Sequence, residues 1–483
     1  MPVATRSIIV WFRLDLRLSD HPALQAALAI GLPVLPVFVW SADEQEPFAA
    51  GAASRWWLHH SLLRLDETLR ARGSRLIVRR GPAAEALLAL ARECGARQVF
   101  CNRVYEPTAL HGESALEEQL RASGIALEKC SGNLLFEPGT LRTSAGTAFQ
   151  VFTPFWRAVW NRRDEIRRPV KNPASLPSPQ QWPGSLDLRE LELEPKTDWA
   201  AGLRATWTPG EDAARERLQA FAAGAVRIYG EYRDRVDLDG TSRFSPHLHF
   251  GEVSAVQAWH AIVNQPGAEA WLRQLAWREF AYHLLAERPE SLTEPLNPQF
   301  RAFPWRRNRS RLAAWQEGQT GYPMVDAGMR QLWTTGWMHN RARLIAASFL
   351  VKHLLLPWQD GAAWFMDTLV DADLANNTMG WQWVAGCGAD AAPYFRIFNP
   401  VLQGEKFDPD GDYVRRWIPE LAKLSARWIH QPWNAPPLVL AEAGVRLGEN
   451  YPRPLVEHEQ ARQAALAAFE EMKRAASTPA ARR

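Results

Sequence analysis

The chain has 483 residues, 47% hydrophobic and 23% charged, with a net charge of +3. That length supports two or three domains, and the small positive charge permits a local basic face without demanding one. No apolar run reaches membrane-span length, the N-terminus lacks a signal-peptide layout, and the scattered cysteines (Cys94, Cys101, Cys130, Cys387) form no Cys-x-x-Cys, which argues against a zinc site or disulfide framework and for a reducing, cytoplasmic setting.

Tryptophan is the outlier, at 23 residues. Either a bulky aromatic core or a chain of redox-active indoles accounts for so many.

In chain order, Ser7 to Phe12 reads as a buried strand, followed by a helix near His21–Ile30. Leu32 to Trp40 gives a second strand, with Pro33 and Pro36 as blemishes. Ser54 is expected to cap a helix over Arg55–Arg72, closed by Gly73. Arg75–Arg79 is strand-like, Pro82–Glu93 helical up to Gly95, Gln98–Cys101 a strand, and Glu113–Ala122 a helix ended by Gly124. Strands alternating with helices predict a parallel, doubly wound sheet in an α/β domain over 1–130. No G-x-G-x-x-G follows the first strand, so the usual dinucleotide fingerprint is missing.

Positions 131–209 read as a linker, with prolines recurring from Pro169 to Pro209. From Gly210 to the end an all-α domain is predicted. Its helices cover Glu211–Ala223, Ala255–Asn264, Ala268–Ala286, Ser310–Glu317, Met324–Thr334, Arg341–Lys352, Ala362–Leu369 and Glu457–Arg474, with disorder expected in the final residues.

Four stretches carry candidate chemistry. Gly240 to Pro246 places hydroxyls and backbone N–H groups ahead of a helix, as a phosphate cradle or an ordinary N-cap would. Trp271, Gln274 and Arg278 share a helix face, with Trp277 beside them. Trp337 to Arg343 groups an indole, amides and guanidinium groups, and Arg343 is placed to pair with Asp371 or Asp373. His339 alone reads as structural. Asp371 to Pro400 crowds two carboxylates, two amides, Trp381 and Trp383 together. That composition suits a large, flat, polar-edged ligand or a buried turn. Nothing reads as a Ser-His-Asp triad, a P-loop or a metal cluster.

Taken together, GTSRFSPHLHFGEVS, WLRQLAWREF, WQEGQTGYPMVDAGMRQLWTTGWMHNRAR and DLANNTMGWQWVAGCGADAAPYFRIFNP resemble the photolyase/cryptochrome family, most closely its bacterial cyclobutane pyrimidine dimer photolyases. The resemblance runs from the first strand to the last helix. It implies a helical domain holding FAD, with Tyr229, Thr241, Ser242 and Ser245 on its phosphates and ribityl chain. Arg278, Trp337, Arg343, Asp371 and Asp373 would contact the cofactor, Arg343 with Asp371 as a salt bridge, and Asn377 would face the flavin N5. Trp381, Trp358 and Trp305 match the indoles that carry electrons to FAD. Trp277 and Trp383 would pack on a flipped-out pyrimidine dimer in UV-damaged DNA, with Arg233, Asn340 and Arg341 on bases or phosphates.

Two positions depart from that pattern. Gln274 stands where the dimer photolyases place Glu, and Leu344 where they place Met. Tyr105-Glu106-Pro107-Thr108-Ala109 also lacks the folate contacts of the common subgroup, so the antenna chromophore is open. The leading expectation is a monomeric, light-driven photolyase. The alternatives are a cryptochrome-type photoreceptor with a signalling partner, and a flavoprotein with a role that does not use light.

Overall fold

A computed structural model describes residues 6–41 and 47–477. The expectations for the extreme N-terminus and for the final residues lie outside them. Within the described residues, one compact unit comprises positions up to Arg227, Ser242–Pro289 and Val370–Ala375. The other comprises Ile228–Thr241, Glu290–Leu369 and positions from Asn376 onward.

The first unit contains the sheet. Its strands β1 (Ile8–Phe12), β2 (Val34–Trp40), β3 (Ile77–Arg80), β4 (Gln98–Asn102) and β5 (Ala126–Cys130) run in the order β3-β2-β1-β4-β5 with every pairing parallel. The crossovers are α1 (Pro22–Ala29), α2 (Ala52–Arg70), α3 (Ala83–Cys94) and α4 (Pro107–Ala122). Every residue of β1 and β2 is buried, as expected of strands covered on both faces. Pro36 fits inside β2 because the ladder with β3 begins one residue later, at Val37. β5 is the strand that pattern reading omits. Its sequence ALEKC is polar and half-exposed because it forms the sheet edge, where charge discourages further pairing.

Several helix limits differ from expectation: the helix predicted over Glu113–Ala122 begins at Pro107, and that predicted over Ala362–Leu369 begins at Trp358. The cap of α2 is Gly51, and Ser54 lies buried inside the helix. The helix predicted over Arg341–Lys352 is α-helical for Asn340–Ser348 and continues as a buried π-turn over Phe349–His353. Phe152–Asn161 is a helix within the segment read as linker. The stretch Leu374–Ala385, read as a polar knot, is also helical. Among the described residues no helix is long and apolar enough to cross a membrane.

Candidate functional site

In the first unit the helix Ala268–Glu287 is the organising element. Trp271, Leu275, Ala276 and Phe280 face the core, while Arg273, Gln274, Trp277 and Arg278 remain partly open. Trp271 is therefore not part of the open face. Its indole Nε1 instead donates to Ser242 Oγ at 3.0 Å, tying the hydroxyl-rich loop to this helix. Ser245 opens the short helix Ser245–His249 and is exposed, and no side chain caps that helix, so the N-cap reading of the loop does not hold. Trp277 stacks on Phe152, with ring centroids 3.7 Å apart and planes 7° off parallel. One face of that indole is thus already covered.

Arg278 reaches the carbonyl of Asn133 at 3.2 Å and lies over the Tyr282 ring at 4.9 Å. Tyr282, one helical turn on, donates its hydroxyl to Asp373. His249 Nδ1 lies 3.7 Å from the same carboxylate and has no hydrogen-bond partner although buried. Burial alone would raise the pKa of Asp373. The neighbouring His249, with Arg278 and the Tyr282 hydroxyl, reverses this and holds the carboxyl well below the ordinary range. Glu279 goes the other way. Burial pushes it up to about 7, against Arg278 and the N–H groups of Leu135 and Phe136. Asp371 is buried beside Asp373 in sequence. Tyr282 and His249 escaped the sequence reading. The i, i+4 spacing of Tyr282 from Arg278 was the available signal.

In the second unit the helix Asn340–Ser348 turns Ala342, Ile345 and Ala346 inward and leaves Asn340, Arg341, Arg343 and Leu344 open. His339 caps it by accepting from the Arg341 N–H at 3.1 Å, which bears out its structural reading. Arg343 Nε donates to the Met338 carbonyl at 2.8 Å, and Trp337 is buried. Arg233 and Arg341, far apart in sequence, meet at Asp234, at 3.9 and 2.9 Å, and Arg233 also lies over the Tyr229 ring at 5.8 Å. Thr241 is partly exposed.

The helix Leu374–Ala385 exposes a stripe of Asn376, Asn377, Gly380 and Trp383. Asn377 Nδ2 donates to the Ala362 carbonyl at 3.0 Å, which leaves its Oδ1 available as an acceptor. A Cβ added to Gly380 would meet nothing within 4 Å, so space stands open against this stripe. The open space and the amide fit one edge of a polar, flat cofactor. In the first unit, the unsatisfied His249 Nδ1 and the ionised Asp373 fit polar cofactor contacts.

Two of the three indoles are buried and the third is accessible. Trp381 and Trp358 are each 2% exposed, while Trp305 is partly open. Trp358 begins the helix Trp358–Thr368, and a Cβ on Gly361, one turn later, would overlap the Trp381 ring. Arg306 N–H, next to Trp305, donates to Leu355 three residues before Trp358. Backbone connections thus tie the three rings to one region. Gly361→Ala is expected to push the Trp381 ring out of place and cost about 1–3 kcal/mol of stability by overpacking, as measured by urea unfolding.

Residues 8–177 match the sequence pattern of the family described as DNA photolyase, and residues 271–471 that of the FAD binding domain of DNA photolyase. The chain is 48% identical to a deoxyribodipyrimidine photo-lyase of Agrobacterium fabrum, over 98% of this chain and 100% of that one. It is 40% identical to Cryptochrome-1 of Arabidopsis thaliana, over 94% of this chain and 69% of that one. Among solved structures, a bacterial class III photolyase from Agrobacterium tumefaciens superimposes with a TM-score of 0.94 at 48% identity, covering 98% of this chain and 99% of that one. A Synechocystis cryptochrome superimposes with a TM-score of 0.88 at 32% identity, covering 97% and 100%.

Proposed function

The chain belongs to the photolyase/cryptochrome family, and from that premise we propose that it is an FAD-dependent deoxyribodipyrimidine photo-lyase that uses blue light to split cyclobutane pyrimidine dimers in DNA. Bound FAD supplies the light absorption and the one-electron chemistry. Two buried indoles, Trp381 and Trp358, with the partly open Trp305, support the electron-transfer part of this reading. In this proposal electrons enter at the partly open indole and pass inward to the buried ones.

Each residue set has a role in the proposal. Tyr229, Thr241, Ser242 and Ser245 hold the phosphates and ribityl chain. Arg278, Asp371, Asp373, Trp337 and Arg343 hold and orient the flavin end. The Asn377 carboxamide, anchored through Nδ2, offers Oδ1 as an acceptor to the ring. Trp277 and Trp383 pack on the extruded dimer, where damaged pairing lowers the cost of unstacking. Arg233, Asn340, Arg341 and Leu344 contact the strand, and their open placement supports this. Gln274 contributes a donor and an acceptor to the lesion from the same open face as Trp277. Residues 1–130 form the proposed antenna domain and 210–483 the proposed catalytic domain, with 131–209 between them. Tyr105 donates to Glu137 at 2.8 Å, and burial beside Asp373 raises the pKa of Glu106. The antenna chromophore is left open in this proposal.

The neutral amide at Gln274 favours a second reading, a photoreceptor in which flavin photoreduction serves signalling without repair. The deciding experiment is blue-light repair of a defined thymine dimer in an oligonucleotide, wild type beside Gln274→Glu. Wild type is expected to repair. The carboxylate should raise turnover up to about tenfold, the effect of one charge-assisted hydrogen bond. No repair by wild type at saturating DNA, with photoreduction intact, would transfer the assignment to the photoreceptor.

A further inference from the structure

The segment Trp305-Arg306-Arg307-Asn308-Arg309-Ser310-Arg311 places four guanidinium groups within six residues, directly after the partly open indole. Arg306, Arg307 and Arg309 are exposed, and Arg311 is half-buried. Among the described residues, none of the four side chains makes a hydrogen bond or an ion pair. Arg307 has only a longer-range attraction to Asp360. Nearby Arg301, by contrast, is neutralised by Glu294 at 2.8 Å.

Helix stability does not account for this placement. Arg309 opens the helix Arg309–Gln316, whose first turn holds no acidic residue. Positive charge at a helix N-terminus opposes the helix dipole, and four like charges in six residues repel one another. The arrangement costs the fold something and returns no side-chain hydrogen bond or ion pair among the described residues. What it creates is a positive field around Trp305.

We propose that Arg306, Arg307, Arg309 and Arg311 form a steering surface for a small anionic reductant that refills Trp305. This rests on the reading of Trp305 as the outer end of the indole series. Once Trp305 has passed an electron inward, it is left as a radical cation. An anionic one-electron reductant of the ascorbate class transfers one electron to it. The indole is restored with no bond made or broken, and the reductant becomes its own radical and releases a proton to water. Clustered cationic charge concentrates an anion locally and raises its on-rate, and salt weakens this with a screening length of about 8–10 Å. Neutral reductants gain nothing from the field.

The test compares the FAD-loaded wild type with a variant combining Arg306→Gln, Arg307→Gln, Arg309→Gln and Arg311→Gln. Removing unfavourable charge from a helix start leaves folding intact or improves it. Photoreduction driven by ascorbate at low salt is expected to slow roughly 3- to 10-fold in the variant, while photoreduction driven by neutral dithiothreitol stays unchanged. The wild-type advantage with ascorbate should fade as salt is added. In the dark, the fluorescence component lost in Trp305→Phe should be quenched better by iodide than by acrylamide in wild type, and that preference should vanish in the arginine variant. Equal ascorbate rates in variant and wild type overturn the proposal. So does an unchanged ascorbate rate with weakened binding of undamaged duplex DNA, which would make the patch a nucleic-acid surface. Full photoreduction of Trp305→Phe with dithiothreitol would instead overturn the reading of Trp305 on which the proposal stands.

Discussion

Trp381→Phe is expected to slow blue-light photoreduction of the bound flavin by at least about tenfold, equivalent to 1.4 kcal/mol or more on the barrier. The substitution keeps an aromatic ring against Gly361 and Phe365, so packing changes little. It removes the oxidisable indole at the inner end of the proposed series. The surroundings of Trp381 sharpen the expectation. Its ring meets the edge of Phe365 at 5.0 Å and of Trp315 at 6.1 Å, and its buried Nε1 has no hydrogen-bond partner. An oxidised indole with no side-chain or backbone acceptor for its N–H proton is poorly placed to settle by losing that proton. Its charge must move outward or return. Transient absorption should therefore show a short-lived indole cation in wild type and none in Trp381→Phe. Undiminished photoreduction in that variant would remove the indole series from the mechanism.

The second large effect is expected at Asp373. Asp373→Asn removes the buried charge that Tyr282, His249 and Arg278 surround, leaving the partly open Arg278 guanidinium with less compensation. Breaking one side of a buried charged cluster costs about 3 kcal/mol, whereas Tyr282→Phe, which deletes one hydrogen bond, should cost about 1 kcal/mol. Flavin content, read from the ratio of visible to protein absorbance, should fall with Asp373→Asn. The pH dependence has a definite sign. The folded-state pKa of Asp373 is depressed, so its contribution is present above the ordinary carboxylate pKa of 3.8 and is lost as pH falls toward the depressed value. The gap in thermal stability between wild type and variant should stay constant through neutral pH and close only in acid. A gap that closes between pH 5 and 7 would show that Asp373 is not held ionised in this way.

The sheet was legible in the sequence wherever burial was two-sided. β1 and β2 read as continuous apolar runs because both of their faces are covered. β5 was hidden by its position at the edge, where solvent permits Glu128 and Lys129. The Ala268–Glu287 helix was evident from its length, but which face was open was not. Trp271 and Trp277 differ by six positions, and only packing decides that the first is buried while the second stays partly open. The Leu374–Ala385 helix was disguised by the very residues for which a functional role is proposed. Adjacent amides, a glycine and two indoles have poor helix propensity, and tertiary packing overrides that preference. Phe152, which covers one face of Trp277, lay in a segment whose neighbouring prolines suggested only a connector. Motif resemblance supplied roles for individual residues. It could not supply Tyr282, His249 or Gly361, whose importance comes from what they touch.

The way the chain divides has a consequence for the cell that makes it. The first compact unit ends in sequence at Ala375, about 150 residues beyond Arg227, and the chain passes between the two units five times. A ribosome adding about 5–20 residues per second needs roughly 7–30 s to bridge that interval. For that time the early part of the unit must wait without Asp371 and Asp373, and the helix that bears Trp277 joins it only about 60 residues after Arg227. Neither unit corresponds to a single stretch of message that could be cut out and translated alone. Truncations at the proline-rich segment should therefore yield chains that rely on chaperones or aggregate, whichever half they retain.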